Sequence, residues 1–160
     1  MKSSLLIIAD RGNLKAYRVE KTANERPPRL NLLEAFSMVD AHRRISEQNT
    51  DLAGRFGVSG AAGGPRGSTG THQASISDRH YEIETSKRLY KQIAAHIMSI
   101  LNRENAKRWS LAAPSEMNDA LLSELDPGVR KTIAENLHAD LVHVHPSELL
   151  GRFSVAPVEV

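Results

Sequence analysis

The chain contains no cysteine. That absence excludes disulfide frameworks, thiolate-bound zinc, iron–sulfur clusters and thiol catalysis together. Nor is there an apolar run of about 18 residues, so no membrane-spanning helix is expected. The longest early apolar stretch, Leu5 to Ala9, runs straight into Asp10 and Arg11 and is too short for a signal-peptide core. A soluble, cytoplasmic protein without membrane contact is the expectation. Aromatic residues are scarce as well, at 4% of the chain. Most of them are needed for the core. Trp109, beside Lys107 and Arg108, therefore reads as a core residue rather than a base-stacking one.

What is present suits one ordinary domain. The 160 residues are 40% apolar and 25% charged, enough to bury roughly 70% of the unfolded surface around a single core. The formal net charge of +2 conceals an asymmetry. Residues 52–108 hold 9 basic against 4 acidic groups, while residues 109–160 hold 3 against 8. A segregated excess of this kind favours a surface that meets a polyanion.

Local patterns sketch a mixed sheet. Residues 4–9 read as a buried strand, Arg11-Gly12-Asn13 as a turn, and residues 14–19 as the second arm of a hairpin. A third strand is expected over residues 30–38, with Leu30, Leu32 and Phe36 on one side. From Asp78 to about Asn102 the period becomes helical. Leu89, Tyr90, Ile93, Ile97, Ile100 and Leu101 fall on one stripe, with Ser77 or Asp78 as cap. A strand over 108–112 and a helix over 115–125 follow. Residues 130–142 are ambiguous: Val129, Ile133, Ala134 and Leu137 suit a helix, while Leu141, Val142 and Val144 suit a strand. A short helix begins at Pro146. The sum is an α/β (α+β) domain spanning 1–160, with a mixed, partly antiparallel sheet of about five strands and helices packed on it.

Seven of the ten glycines lie between Gly54 and Gly70. Phe56 and Val58 are the only large apolar groups there, so a mobile, basic loop is expected over residues 52–77. The segment has no lysine for a Walker loop and follows no strand as a dinucleotide fingerprint would. A remaining function is backbone contact with phosphates, helped by Arg55 and Arg66. Elsewhere, His143 and His145 flank Val144, with His138 and Asp140 nearby. Histidines with a carboxylate can bind zinc or act as general bases. No second ligand cluster accompanies them, so no metal or other cofactor is expected.

Three stretches carry a family resemblance. They are the opening Leu-Ile-Ile-Ala-Asp-Arg-Gly-Asn-Leu-Lys-Ala-Tyr, the Trp-Ser-Leu-Ala-Ala-Pro at Trp109, and the closing Asn-Leu-His-Ala-Asp-Leu-Val-His-Val-His-Pro-Ser-Glu-Leu. Together they resemble the bacterial host attachment family, from Leu5 to about Phe153. Ala139, Val142, Val144 and His145 depart from the family's usual Lys-Asp-Leu-Thr-His-Leu-Ser-Pro ending. That family is similar in turn to the middle domain of archaeal and eukaryotic peptide-chain release factors. There a Gly-rich loop before a long helix ends in Gly-Gly-Gln. By that resemblance Gly63 and Gly64 would be the loop tip, with Pro65 where glutamine stands. Proline has neither a side-chain amide nor a backbone N–H, so it cannot hold a hydrolytic water as glutamine might.

The resemblance and the charge pattern together imply a non-enzymatic binding module. Its expected partner is the ribosome or another structured RNA. Arg55, Gly63, Gly64, Arg66, Arg79, Lys87 and Lys91 are the expected contacts, and any part in attachment would be indirect. Two alternatives stand beside it. One is a protein–protein adaptor. The other is a hydrolase acting on RNA or a phosphoester through His143 or His145.

Overall fold

The computed structural model describes residues 4–20, 28–38 and 71–153. Its centre is β1 (Ser4–Ala9), whose six residues include five large or small apolar groups in a row. Such a run suits a strand covered on both faces. Leu5, Ile7 and Ala9 point to one face, Leu6 and Ile8 to the other, and none is more than 2% exposed. β2 (Asn13–Glu20) returns antiparallel to β1, and β3 (Arg29–Ser37) pairs antiparallel with β2. The 33-residue helix α1 (Thr71–Arg103) then leads to β4 (Arg108–Ala113), which lies parallel to β1.

The chain continues through α2 (Ser115–Ser123) and the single turn α3 (Pro127–Arg130) into β5 (Ile133–His138), parallel to β4. It closes with α4 (Pro146–Arg152). The strand order is β3-β2-β1-β4-β5, a mixed five-stranded sheet. α1 and α2 cover one face through Ile93, Ile97, Ile100, Met117 and Leu121. Leu141, Val142, Leu149 and Phe153 cover the other.

Several elements differ from the sequence expectation. α1 opens at Thr71, seven residues before Asp78, and so runs through both expected caps. Its C-terminus is closed by Asn105 at φ 47°, the left-handed region that asparagine tolerates. The Ala106 N–H then reaches back to the Leu101 carbonyl at 3.0 Å. In the ambiguous stretch, residues 133–138 form the strand. Leu141, Val142 and Val144 lie in the turn after it, and Leu141 and Val142 are buried there. Finally, Leu30, Leu32 and Phe36 do not share a side. A bulge opposite Ala16 and Tyr17 inserts Leu33, which moves Glu34 and Phe36 to the α1 face.

Candidate nucleic-acid interface and adjoining cleft

α1 is about 50 Å long at 1.5 Å per residue, far more than the sheet beneath it can cover. Among the described side chains its buried stripe begins at Leu89, and residues 79–85 are all exposed. Arg79, Lys87 and Lys91 are exposed on this helix, spread over about 18 Å of its axis. Lys87 and Lys91 lie one turn apart, with Arg88 adjacent, on the side away from Leu89, Ile93 and Ile97. Arg88 was legible in the sequence as the next residue of the same patch. Arg55, Gly63, Gly64 and Arg66 lie outside the described residues, as does most of the expected loop over 52–77.

α1 also borders a cleft of about 1090 Å³, with Lys87 at its edge. It opens where β1, β4 and β5 end together. After β1 the chain turns to β2 on one side, while after β4 it leaves through α2 toward β5 on the other. A crevice at such a point of divergence is where open α/β sheets hold ligands. Ile83, Tyr90, Met117 and Ala120 supply apolar lining between α1 and α2. Five carboxylates line it, from Asp10, Glu82, Glu116, Glu124 and Asp140, against two cations, Arg11 and Lys87. Negative charge of this density repels phosphate, so the cleft suits a different chemistry from Arg88 and Lys91, with Lys87 at the boundary between them.

The β1 end of the cleft is locked by local hydrogen bonds. The Asp10 Oδ1 accepts from the Gly12 N–H at 2.7 Å and the Asn13 N–H at 2.6 Å, closing the hairpin turn. The Arg11 guanidinium donates to Ser86 Oγ at 3.0 Å, which ties that turn to α1. At the other end the Asp140 Oδ1 accepts from the Val142 N–H at 3.3 Å. Beneath the cleft, fully buried Asn118 on α2 bonds to Asn136 on β5 and to the carbonyls of Ala113 and Leu137.

The histidines are separated by the fold. His145 does not extend a strand; its Nδ1 accepts from the Ser147 N–H and caps α4. His143 has a side chain 81% exposed and stands 3.9 Å from Asp10 Oδ2. His138 lines the cleft at the end of β5. Among the described residues, no three of His, Asp or Glu gather closely enough to hold a metal ion.

The family model described as "protein required for attachment to host cells" matches residues 5–152. The chain belongs to that family. Within this host attachment protein, the opening Ala9-Asp10-Arg11-Gly12 is the capped turn at the mouth of the cleft, and Trp109 to Pro114 is strand β4, beside the central β1, running into α2. No curated protein matches the chain. Among solved structures, an archaeal translation termination factor is similar at 11% identity and a TM-score of 0.38, covering 84% of this chain and 30% of that one. An archaeal protein is similar at 14% identity and a TM-score of 0.40, covering 87% and 30%. The chain thus spans under a third of either. Among the described residues, no helix is long and apolar enough to cross a membrane.

Proposed function

We propose that this host attachment protein is a non-enzymatic, cytoplasmic binding module that contacts structured RNA, the ribosome foremost, through the outward face of α1. The observation that carries the reading is the exposed cluster of Lys87, Arg88 and Lys91, with Arg79 further along the same helix. Phosphate contacts need accessible cations with room around them; Lys87, Arg88 and Lys91 project away from the core stripe, and Arg79 is exposed on the part of the helix that precedes it. Arg55 and Arg66, with the backbone of Gly63 and Gly64, extend the contact from the segment that precedes the helix. Catalysis is not required of such a module, which fits Pro65 at the expected loop tip. Contact with the translation machinery bears on attachment indirectly, through the proteins the cell makes.

The test is co-sedimentation with ribosomes and with total RNA at low and moderate salt. Wild type should pellet at low salt and be released as salt rises. A Lys87→Ala/Arg88→Ala/Lys91→Ala variant should weaken binding and flatten the dependence of log K on log salt by about 2–3. An Arg55→Ala/Arg66→Ala variant should weaken it further. No binding to either target at low salt sinks the reading. Salt-independent binding moves the protein to the adaptor class.

A further inference from the structure

The cleft at the C-terminal ends of β1, β4 and β5 has a chemistry that RNA contact does not use. Its apolar base and acidic rim lie along the flank of α1 that carries Glu82, Ile83, Ser86 and Tyr90, with Lys87 at its edge. We infer that this cleft docks a basic peptide segment of a partner protein, one carrying lysine or arginine around an apolar anchor residue.

Charge complementarity identifies the occupant. The chain as a whole is net +2, yet the cleft gathers five carboxylates against two cations. Asp10 and Asp140 already accept backbone N–H groups, so they chiefly supply negative potential. Glu82 and Glu116 are exposed on facing helices and reach the incoming cations. A purely ionic ligand would leave the base of the cleft wet. Ile83 stands 64% exposed in its wall, among the largest apolar side chains the described surface offers to solvent. Tyr90 and Met117 continue that surface inward. Size argues in the same direction. At about 1090 Å³ the cleft stands at the upper end of the range usual for small-molecule pockets, and it lies open between two helices. A groove between helices with an apolar base suits an amphipathic segment that buries one anchor and keeps its charges at the rim.

The experiment is fluorescence anisotropy of the full chain with a labelled, short lysine–leucine peptide of helical spacing. A glutamate–leucine peptide and oligolysine serve as comparison probes. The lysine–leucine peptide should bind tightest. Glu82→Lys/Glu116→Lys should weaken it by about tenfold or more, and Ile83→Ser by several-fold. Glu148→Lys, on exposed α4 against the other face, should change nothing. Thermal melts of each variant establish that it remains folded. Equal binding of the glutamate–leucine peptide, or full binding by the Glu82→Lys/Glu116→Lys variant, overturns the proposal. Oligolysine binding as tightly as the amphipathic peptide overturns the apolar anchor. The same double variant should still pellet with RNA, so failure here and failure of the RNA reading are separable.

Discussion

Asn118 and Asn136 exchange side-chain amide hydrogen bonds, at 2.7 Å in one direction and 3.0 Å in the other. The pair joins α2 to the edge strand β5. Asn118 is fully buried, and its amide also faces the carbonyls of Ala113 and Leu137 at 3.3 Å. Removing it strands acceptors at the ends of two strands. Asn118→Ala should cost about 1–3 kcal/mol, the usual penalty for leaving a buried polar group unsatisfied. A cycle with Asn136→Ala and the double variant, followed by urea unfolding, should give a coupling energy of about 0.5–3 kcal/mol. Strict additivity would mean that the pair is incidental.

Trp109 is 1% exposed, and its indole N–H donates to Thr132 Oγ1 at 3.0 Å. Thr132 in turn donates to the Val129 carbonyl at 2.7 Å, so the tryptophan anchors the turn before β5. Trp109→Phe should destabilise by about 1–3 kcal/mol, from the lost hydrogen bond and the space left behind. Circular dichroism melts measure it. In the wild type the lone tryptophan should emit in the blue and shift red on unfolding, independently of any RNA added.

Ile97 and Ile83 lie on the same helix with opposite surroundings. Ile97 is fully buried among the sheet residues, whereas Ile83 is 64% exposed. Ile97→Ala should cost about 2–5 kcal/mol, and Ile83→Ala should stay within about 0.5 kcal/mol. Comparable losses in a denaturant titration would show that the N-terminal part of α1 packs on something in solution.

The Glu34 carboxyl on β3 accepts from Arg103 at 2.8 Å and from His96, both on α1. The Arg103 hydrogen bond is the larger cause holding it below its ordinary value, against the opposing effect of partial burial. A depressed carboxyl contributes stability above its unfolded pKa and loses it as pH falls through the folded one. Wild-type stability should therefore fall on acidification below about pH 5, and Glu34→Gln should flatten that fall. Arg103→Met should return the Glu34 carboxyl toward its ordinary value in a carbon-13 NMR titration. An unmoved titration would remove the pair from the acid response.

Strong, uninterrupted patterns were legible in the chain. Leu89, Ile93, Ile97 and Ile100 repeat at helical spacing, and the period itself names the buried side. The apolar run of β1 announced a strand covered twice. Phe36 shows where such reading stops. It was grouped with Leu30 and Leu32 by simple alternation, but the inserted Leu33 reverses the phase, and nothing in Leu-Asn-Leu-Leu-Glu marks a bulge. Residues 133–138 were ambiguous because short apolar runs carry too few periods to separate strand from helix.

The sequence by itself determined most of the elements, the family and the segregation of charge, because these depend on residue type and spacing along one chain. The tertiary structure alone decided which charges meet. Asp10, Glu82, Glu116 and Asp140 are far apart in sequence and converge only because parallel β1, β4 and β5 end at one edge beneath α1. The separation of Lys87, Arg88 and Lys91 from the core stripe, by contrast, follows from the helical repeat alone. His143 and His145, neighbours in sequence, differ in the same way: His145 caps α4 through Ser147 two residues on, while His143 stands near Asp10 only through the fold. Local contacts set a residue's conformation, but its electrostatic surroundings come from strands and helices brought together across the whole chain.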